Sequence, residues 1–171
     1  LGLPLGELTN QVVDLPDLLP AADRHLPERL HAAGTPARRF ALLDDWIGQR
    51  LSGAAGPPAP LLQAWERLRT HHGQYPIGGL AAELGWSRRH LATRFREALG
   101  LPPKAMARLL RFERAVALLE REPAAGWADL AARAGYFDQS HFALDCRAFA
   151  DCTPTVLREE RQRLEMLPAG G

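Results

Sequence analysis

Apolar residues recur at helical spacing along most of the chain, and no stretch sustains the alternation of β-branched and polar residues that a half-buried strand needs. In TPARRFALLDDWIGQRLSG, Phe40, Leu43, Trp46, Ile47 and Leu51 share a helical period, Thr35 is placed to cap, Pro36 suits the first helical position and Gly53 closes the run. The preceding PAADRHLPERLHAAG also reads as helix, with Pro27 kinking it or opening a new one. GAAGPPAP, at 53–60, is the clearest break in the chain. Beyond it, Leu61, Leu62, Trp65 and Leu68 predict a helix ending near Gly73, and a short helix fits Ile77–Leu84 and stops at Gly85. Ser87 caps a longer helix to about Leu99, with Gly100 and Pro102-Pro103 ending it. PKAMARLLRFERAVALLERE predicts a long helix whose apolar face is Met106, Leu109, Leu110, Phe112, Val116 and Leu119. Ala124–Ala134 reads as a short helix stopped at Gly135; Asp138 caps the next, to about Ala150, and Thr153-Pro154 opens a last one. The expected fold class is all-α.

Within this pattern one unit occurs twice. LAAELGWSRRHLATRFREALG, from Leu80, returns from Leu130 as LAARAGYFDQSHFALDCRAFAD. Gly85 matches Gly135 and Trp86 matches Tyr136; after one extra residue, His90 matches His141, Leu91 matches Phe142 and Arg96 matches Arg147. Each copy is a short helix, a glycine turn and a longer helix, the helix-turn-helix arrangement in which the second helix enters a DNA major groove. Leu80, Ala81, Leu84, Leu91 and Phe95 are expected to close a small core. Arg88, Arg89, Ala92, Thr93 and Arg96 then fall on the free side of the second helix, and Gln139, Ser140, Ala143, Leu144 and Arg147 do so in the later copy. Arg and Gln can hydrogen-bond base edges, while Thr and small apolar groups suit a thymine methyl.

Composition adds limits. An apolar share of 46% with 24% charged residues suits a soluble globular protein, and no apolar run approaches the ~20 residues of a membrane helix. The start, LGLPLGELTN, has neither the basic residues nor the apolar stretch of a secretory signal; lacking an initiator Met, the chain is expected to be a piece of something longer. Cys146 and Cys152 are too few for a disulfide framework or a thiolate zinc site and are expected to be reduced, packed thiols in a cytoplasmic protein. The adjacent His71-His72 would point about 100° apart on a helix, a poor metal clamp. No metal, cofactor or catalytic constellation is expected. Net charge is only +1, but its distribution is uneven: residues 1–58 carry seven Asp/Glu against five Lys/Arg, whereas residues 87–97 carry four Arg against one Glu. That basic stretch lies on the longer helix of the first copy, where contact with DNA would need it.

The paired units, with LAAELGWSRRHLATRFREALGLPP, RLLRFERAVALLE and DLAARAGYFDQSHFALDCRAFADCTPTVLR, make residues 60–160 resemble the AraC/XylS family of bacterial transcription regulators. The resemblance implies two helix-turn-helix subdomains, about 60–100 and 124–160, joined by a central helix at about 103–122. These would form a DNA-binding domain over 58–171, preceded by a helical connector, 1–57, that follows a missing sensor domain. It implies base reading by Arg89, Ala92 and Thr93 in the first unit and by Gln139, Ser140 and Leu144 in the second. Phosphate contacts are implied for Arg88, Arg96 and Arg147. The implied partners are double-stranded DNA and RNA polymerase, no membrane is implied, and the location is cytoplasmic and nucleoid-associated; the apolar helix faces of residues 1–57 can pack on each other, on the missing sensor or on a second copy of the chain.

The second unit departs from the family pattern, where Arg is usual at 144, Phe at 146 and Gly at 151; here they are Leu144, Cys146 and Asp151. Asp151 stands where the first unit has Gly100, at a helix end expected to need positive φ. With a cationic contact gone at 144, the first unit is expected to carry most of the affinity. The alternative is a helical protein-interaction module that has lost most DNA binding. An alkyl-DNA repair activity, which pairs such a module with zinc-held thiolates, lacks its cysteine cluster here.

Overall fold

The computed structural model describes residues 12–53 and 56–165, all helix and connection with no strand among them. The expectations for the first eleven residues and for part of the Gly/Pro break lie outside the described residues. In chain order the helices are α1 (Leu15–Leu18), α2 (Leu26–Ala32), α3 (Pro36–Gly53), α4 (Ala59–Thr70), α5 (Ile77–Glu83), α6 (Arg88–Leu99), α7 (Pro103–Arg121), α8 (Trp127–Ala134), α9 (Gln139–Ala150) and α10 (Pro154–Glu165). No helix among the described residues is long and apolar enough to cross a membrane.

Capping side chains place several of the ends. Ser87 Oγ accepts from the His90 amide at 3.1 Å to start α6, and Asp138 Oδ1 accepts from the His141 amide at 2.8 Å to start α9. Thr35 and Thr153 accept from Arg38 and Val156 at 3.4 Å ahead of Pro36 and Pro154. Pro27 opens α2 rather than kinking a longer helix. α8 begins at Trp127, three residues later than expected, because the Ala125 amide turns back to Glu122 O at 3.0 Å and Gly126 is extended. In α4 the buried stripe runs Leu61, Ala64, Leu68, leaving Leu62 exposed.

Two cores result, and α7 belongs to both. The first gathers Leu61, Leu68, Leu80, Leu91 and Phe95 with Met106, Ala107 and Leu110 of α7. The second gathers Leu130, Tyr136, Phe142, Cys146 and Leu157 with Phe112, Ala115 and Leu119. At ~100° per residue, the two α7 sets point to opposite sides of the helix. The single apolar face expected for α7 is therefore two faces, and the helix acts as a shared wall. In the second core Phe142 lies among Phe112, Trp127 and Tyr136, with ring centroids 5.4–6.4 Å apart. Cys146 is fully buried beside them in the place that Phe95 takes in the first core.

Before α4, Leu19 and Leu26 are buried outside both cores, and Arg50 of α3 pairs with Asp23 while its guanidinium lies 5.5 Å from the Trp46 ring centre. α3 itself contributes no buried residue: Phe40 and Leu51 are 67% and 70% exposed, and Ile47 is exposed with them.

Candidate nucleic-acid interface

The two repeated units close on the same turn. In the first, the Gly85 amide donates to Ala82 O at 3.0 Å and the Trp86 amide to Ala81 O at 2.9 Å; in the second, Gly135 donates to Ala132 O at 3.0 Å and Tyr136 to Ala131 O at 2.9 Å. This is the paired hydrogen-bond pattern that ends a helix through a left-handed residue, and φ is 65° at Gly85 and 89° at Gly135. The longer helix follows after two residues in the first unit and after three in the second. The extra residue is Phe137, and its side chain is 91% exposed.

Below these turns the apolar residues sort as expected: Leu80, Ala81, Leu91 and Phe95 are buried, with Leu84 half-buried against them. On the outer side of α6, Arg88, Arg89, Thr93 and Arg96 are exposed and Ala92 is half-buried. Arg94 pairs with Glu97 at 2.8 Å, so the basic excess of this helix rests on Arg88, Arg89 and Arg96, for which no ion pair forms among the described residues. The Arg88 side chain folds over Gly78 of α5, where an added Cβ would stand 2.6 Å from its guanidinium nitrogen. On α9, Gln139, Ser140, Leu144 and Arg147 are exposed and Ala143 is half-buried. Nine of these ten outward positions are sequence-named readers or phosphate contacts, and each helix brings its own set onto one side.

Three ties hold the units in place, and none was visible in the sequence. Arg111 of α7 donates to Gly73 O of the first unit at 2.8 Å and lies 5.9 Å from the Tyr136 ring centre of the second. A Cβ at Gly73 would stand 2.0 Å from Ala107 O, and one at Gly135 would stand 2.5 Å from the Gln74 side chain, so the α4–α5 loop sits tightly against α7 and the second turn. Arg108 of α7 donates to Asp145 Oδ1 of α9 through Nε at 3.1 Å and Nη2 at 2.5 Å. The Asp145 side chain is 6% exposed and the Arg108 side chain 42%. Polar residues 37 positions apart carry no local periodicity that would announce the pair. Further out, Arg158 of α10 lies 3.6 Å over the Trp127 ring and donates to Ala125 O at 2.7 Å.

Two local features of the second unit match the sequence reading. Asp151 ends α9 at φ 51°, the left-handed conformation that Gly100 takes at φ 78° after α6. Burial, with minor contributions from Cys152 and Asp145, pushes the Cys146 thiol up to about 12. Both cysteines are free, and Cys146 at neutral pH is a packed thiol rather than a nucleophile. Burial, then the Asp145 carboxylate, likewise raises the Tyr136 phenol above its usual range. No group of three or more metal-ligating side chains gathers among the described residues.

A core wall shared by two capped helix pairs, each with a polar outer helix face, defines a helix-turn-helix protein. Residues 80–160 match a protein-family model described as a helix-turn-helix domain. Over that span the chain is thus similar to a helix-turn-helix domain. Comparison with curated proteins and with solved structures gives no match.

Proposed function

We propose that the chain is a sequence-specific, DNA-binding transcription regulator that seats α6 and α9 in successive major-groove segments of one duplex. The observation that carries this reading is the repeated turn geometry, held on one shared helix, with both longer helices turning hydrogen-bonding residues outward. Arg89, Ala92 and Thr93 read the first segment, Gln139, Ser140 and Leu144 the second, and Arg88, Arg96 and Arg147 hold phosphates. Residues 58–171 form the DNA-binding part and residues 1–57 a connector from a sensor domain. RNA polymerase is the implied partner, and the Phe40–Ile47–Leu51 stripe of α3 is the candidate contact with a second copy. The protein then acts in the cytoplasm on the nucleoid.

The test is binding to a duplex selected from a random pool, measured against salt. A reader of this kind loses affinity steeply as salt rises. Arg89→Ala is expected to cost about 1–3 kcal/mol on the selected duplex and to relax preference at one position, whereas Arg96→Ala weakens all duplexes alike and flattens the salt slope by about one. Binding that is weak, salt-insensitive and indifferent to both substitutions would instead support the protein-interaction module, which the apolar Leu144 on the outer face of α9 favours.

A further inference from the structure

The two outer faces differ in kind. On α6 the outward residues include three arginines without an ion pair among the described residues, and Thr93 stands where α9 has Leu144. On α9, Ser140, Leu144 and Arg147 follow at i, i+4 and i+7 and so share one face, with Leu144 at its centre and 58% exposed. Just ahead of the helix, the turn that is one residue longer than its counterpart spends that residue on Phe137, 91% exposed. Neither side chain packs on either core. Phe137 and Leu144 are the most exposed of the described large apolar residues in this domain, and both lie on the second recognition element, Leu144 at a position where the first unit has Thr93 and Phe137 at one for which it has no counterpart.

We infer that Phe137 and Leu144 read thymine 5-methyl groups, adding large apolar contacts in the second DNA segment to the hydrogen bonds of Gln139 and Ser140. This rests on the proposed reading of α9 as a major-groove helix and names what that helix recognises. In the major groove the thymine methyl is the base-edge group suited to an apolar side chain, and an Arg at 144 would select a guanine's O6 and N7 acceptors instead. Continuity with the polar positions decides between a base edge and a protein partner: Gln139, Ser140 and Arg147 flank Leu144 on the same helix, so a groove that receives them receives Leu144 too. Seated there, Leu144 meets the base edges and Phe137 lies at the helix N-terminal entrance, the end that approaches the bases in this motif.

The experiment replaces thymine by deoxyuridine in the selected duplex, which removes the methyl group and leaves every hydrogen-bonding group in place. Deoxyuridine in the second segment is expected to weaken binding by the full chain about fourfold per contacted methyl, the equivalent of the ~0.8 kcal/mol for burying one such group. The salt slope stays unchanged, because no phosphate contact is lost. In Leu144→Ala the penalty for deoxyuridine shrinks toward nothing, and Phe137→Ala behaves likewise at the flanking step. Leu144→Arg binds all duplexes more tightly at low salt but no longer distinguishes thymine from deoxyuridine. Sequence-specific binding that is indifferent to deoxyuridine in the second segment overturns the inference and leaves the DNA reading standing. Absence of any sequence preference overturns both. If Phe137→Ala and Leu144→Ala keep full DNA affinity but lose binding to purified RNA polymerase, the patch belongs to a protein contact and the inference falls.

Discussion

The Arg108–Asp145 pair shows how unequal two partners of one ion pair are. Asp145 is almost wholly out of water, while nearly half of the Arg108 side chain remains exposed. Removing Arg108 strands a buried carboxylate, an expensive outcome, whereas removing Asp145 releases a guanidinium that can turn to solvent. Arg108→Ala is therefore expected to destabilise by about 2–3 kcal/mol and Asp145→Ala by about 1 kcal/mol, the first figure reduced because the arginine end is hydrated. Chemical denaturation of both variants checks this, and the opposite order would refute the burial argument. Sequence reading found the outward side chains of α6 and α9 because each needs only helical phase and a cap. It missed Asp145 because helical phase says that a position faces inward, not that an arginine on a distant helix waits for it there.

Among the elements, α7 decides the geometry between the units. It sends Met106, Ala107 and Leu110 to one core and Phe112, Ala115 and Leu119 to the other, and its Arg111 reaches both the Gly73 carbonyl and the Tyr136 ring. A joint tied on both sides holds α6 and α9 at one separation, which on the proposed reading suits DNA segments at one spacing. Arg111→Ala leaves the carbonyl of the buried Gly73 without its donor, at a cost of about 1–2 kcal/mol. On the proposed reading it also loosens the joint. Inserting one base pair between the two segments, which turns the second by about a tenth of a helical turn, should sharply weaken the parent protein and weaken Arg111→Ala less. Competition between spaced duplexes measures the difference; equal penalties for both proteins would show that Arg111 does not set the spacing.

For the whole molecule, the distribution of buried residues suggests where it can be cut. Among the described residues, both cores draw only on those from Leu61 to Leu157, and α3 adds nothing to either. Residues 58–171 are therefore expected to fold alone, with a melting transition close to that of the full chain and the same base preference. Should the α3 stripe hold two copies together, removing 1–57 costs avidity without changing which sequence is preferred. Sedimentation and duplex binding of the two lengths side by side distinguish these outcomes, and an unfolded 58–171 would refute the division into connector and DNA-binding part.

By itself the sequence determined whatever depends on neighbours within a turn or two of helix. The helix starts are set by Ser87 and Asp138, and by Thr35 and Thr153 with the prolines that follow them, the two matching turns by Gly85 and Gly135, and the left-handed end of α9 is legible in the match of Asp151 to Gly100. Those features are local because caps and left-handed turns are closed by hydrogen bonds spanning three to five residues. Only the tertiary structure decided that the apolar positions of α7 divide between two cores, that Arg111 and Gln74 lock the units together, and that the extra residue in the second turn faces solvent as Phe137. A helical period records that a residue is apolar and which side it lies on, but not which of several surfaces will come to meet it. That depends on where the chain brings elements some forty residues apart, and it is settled when all of them pack at once.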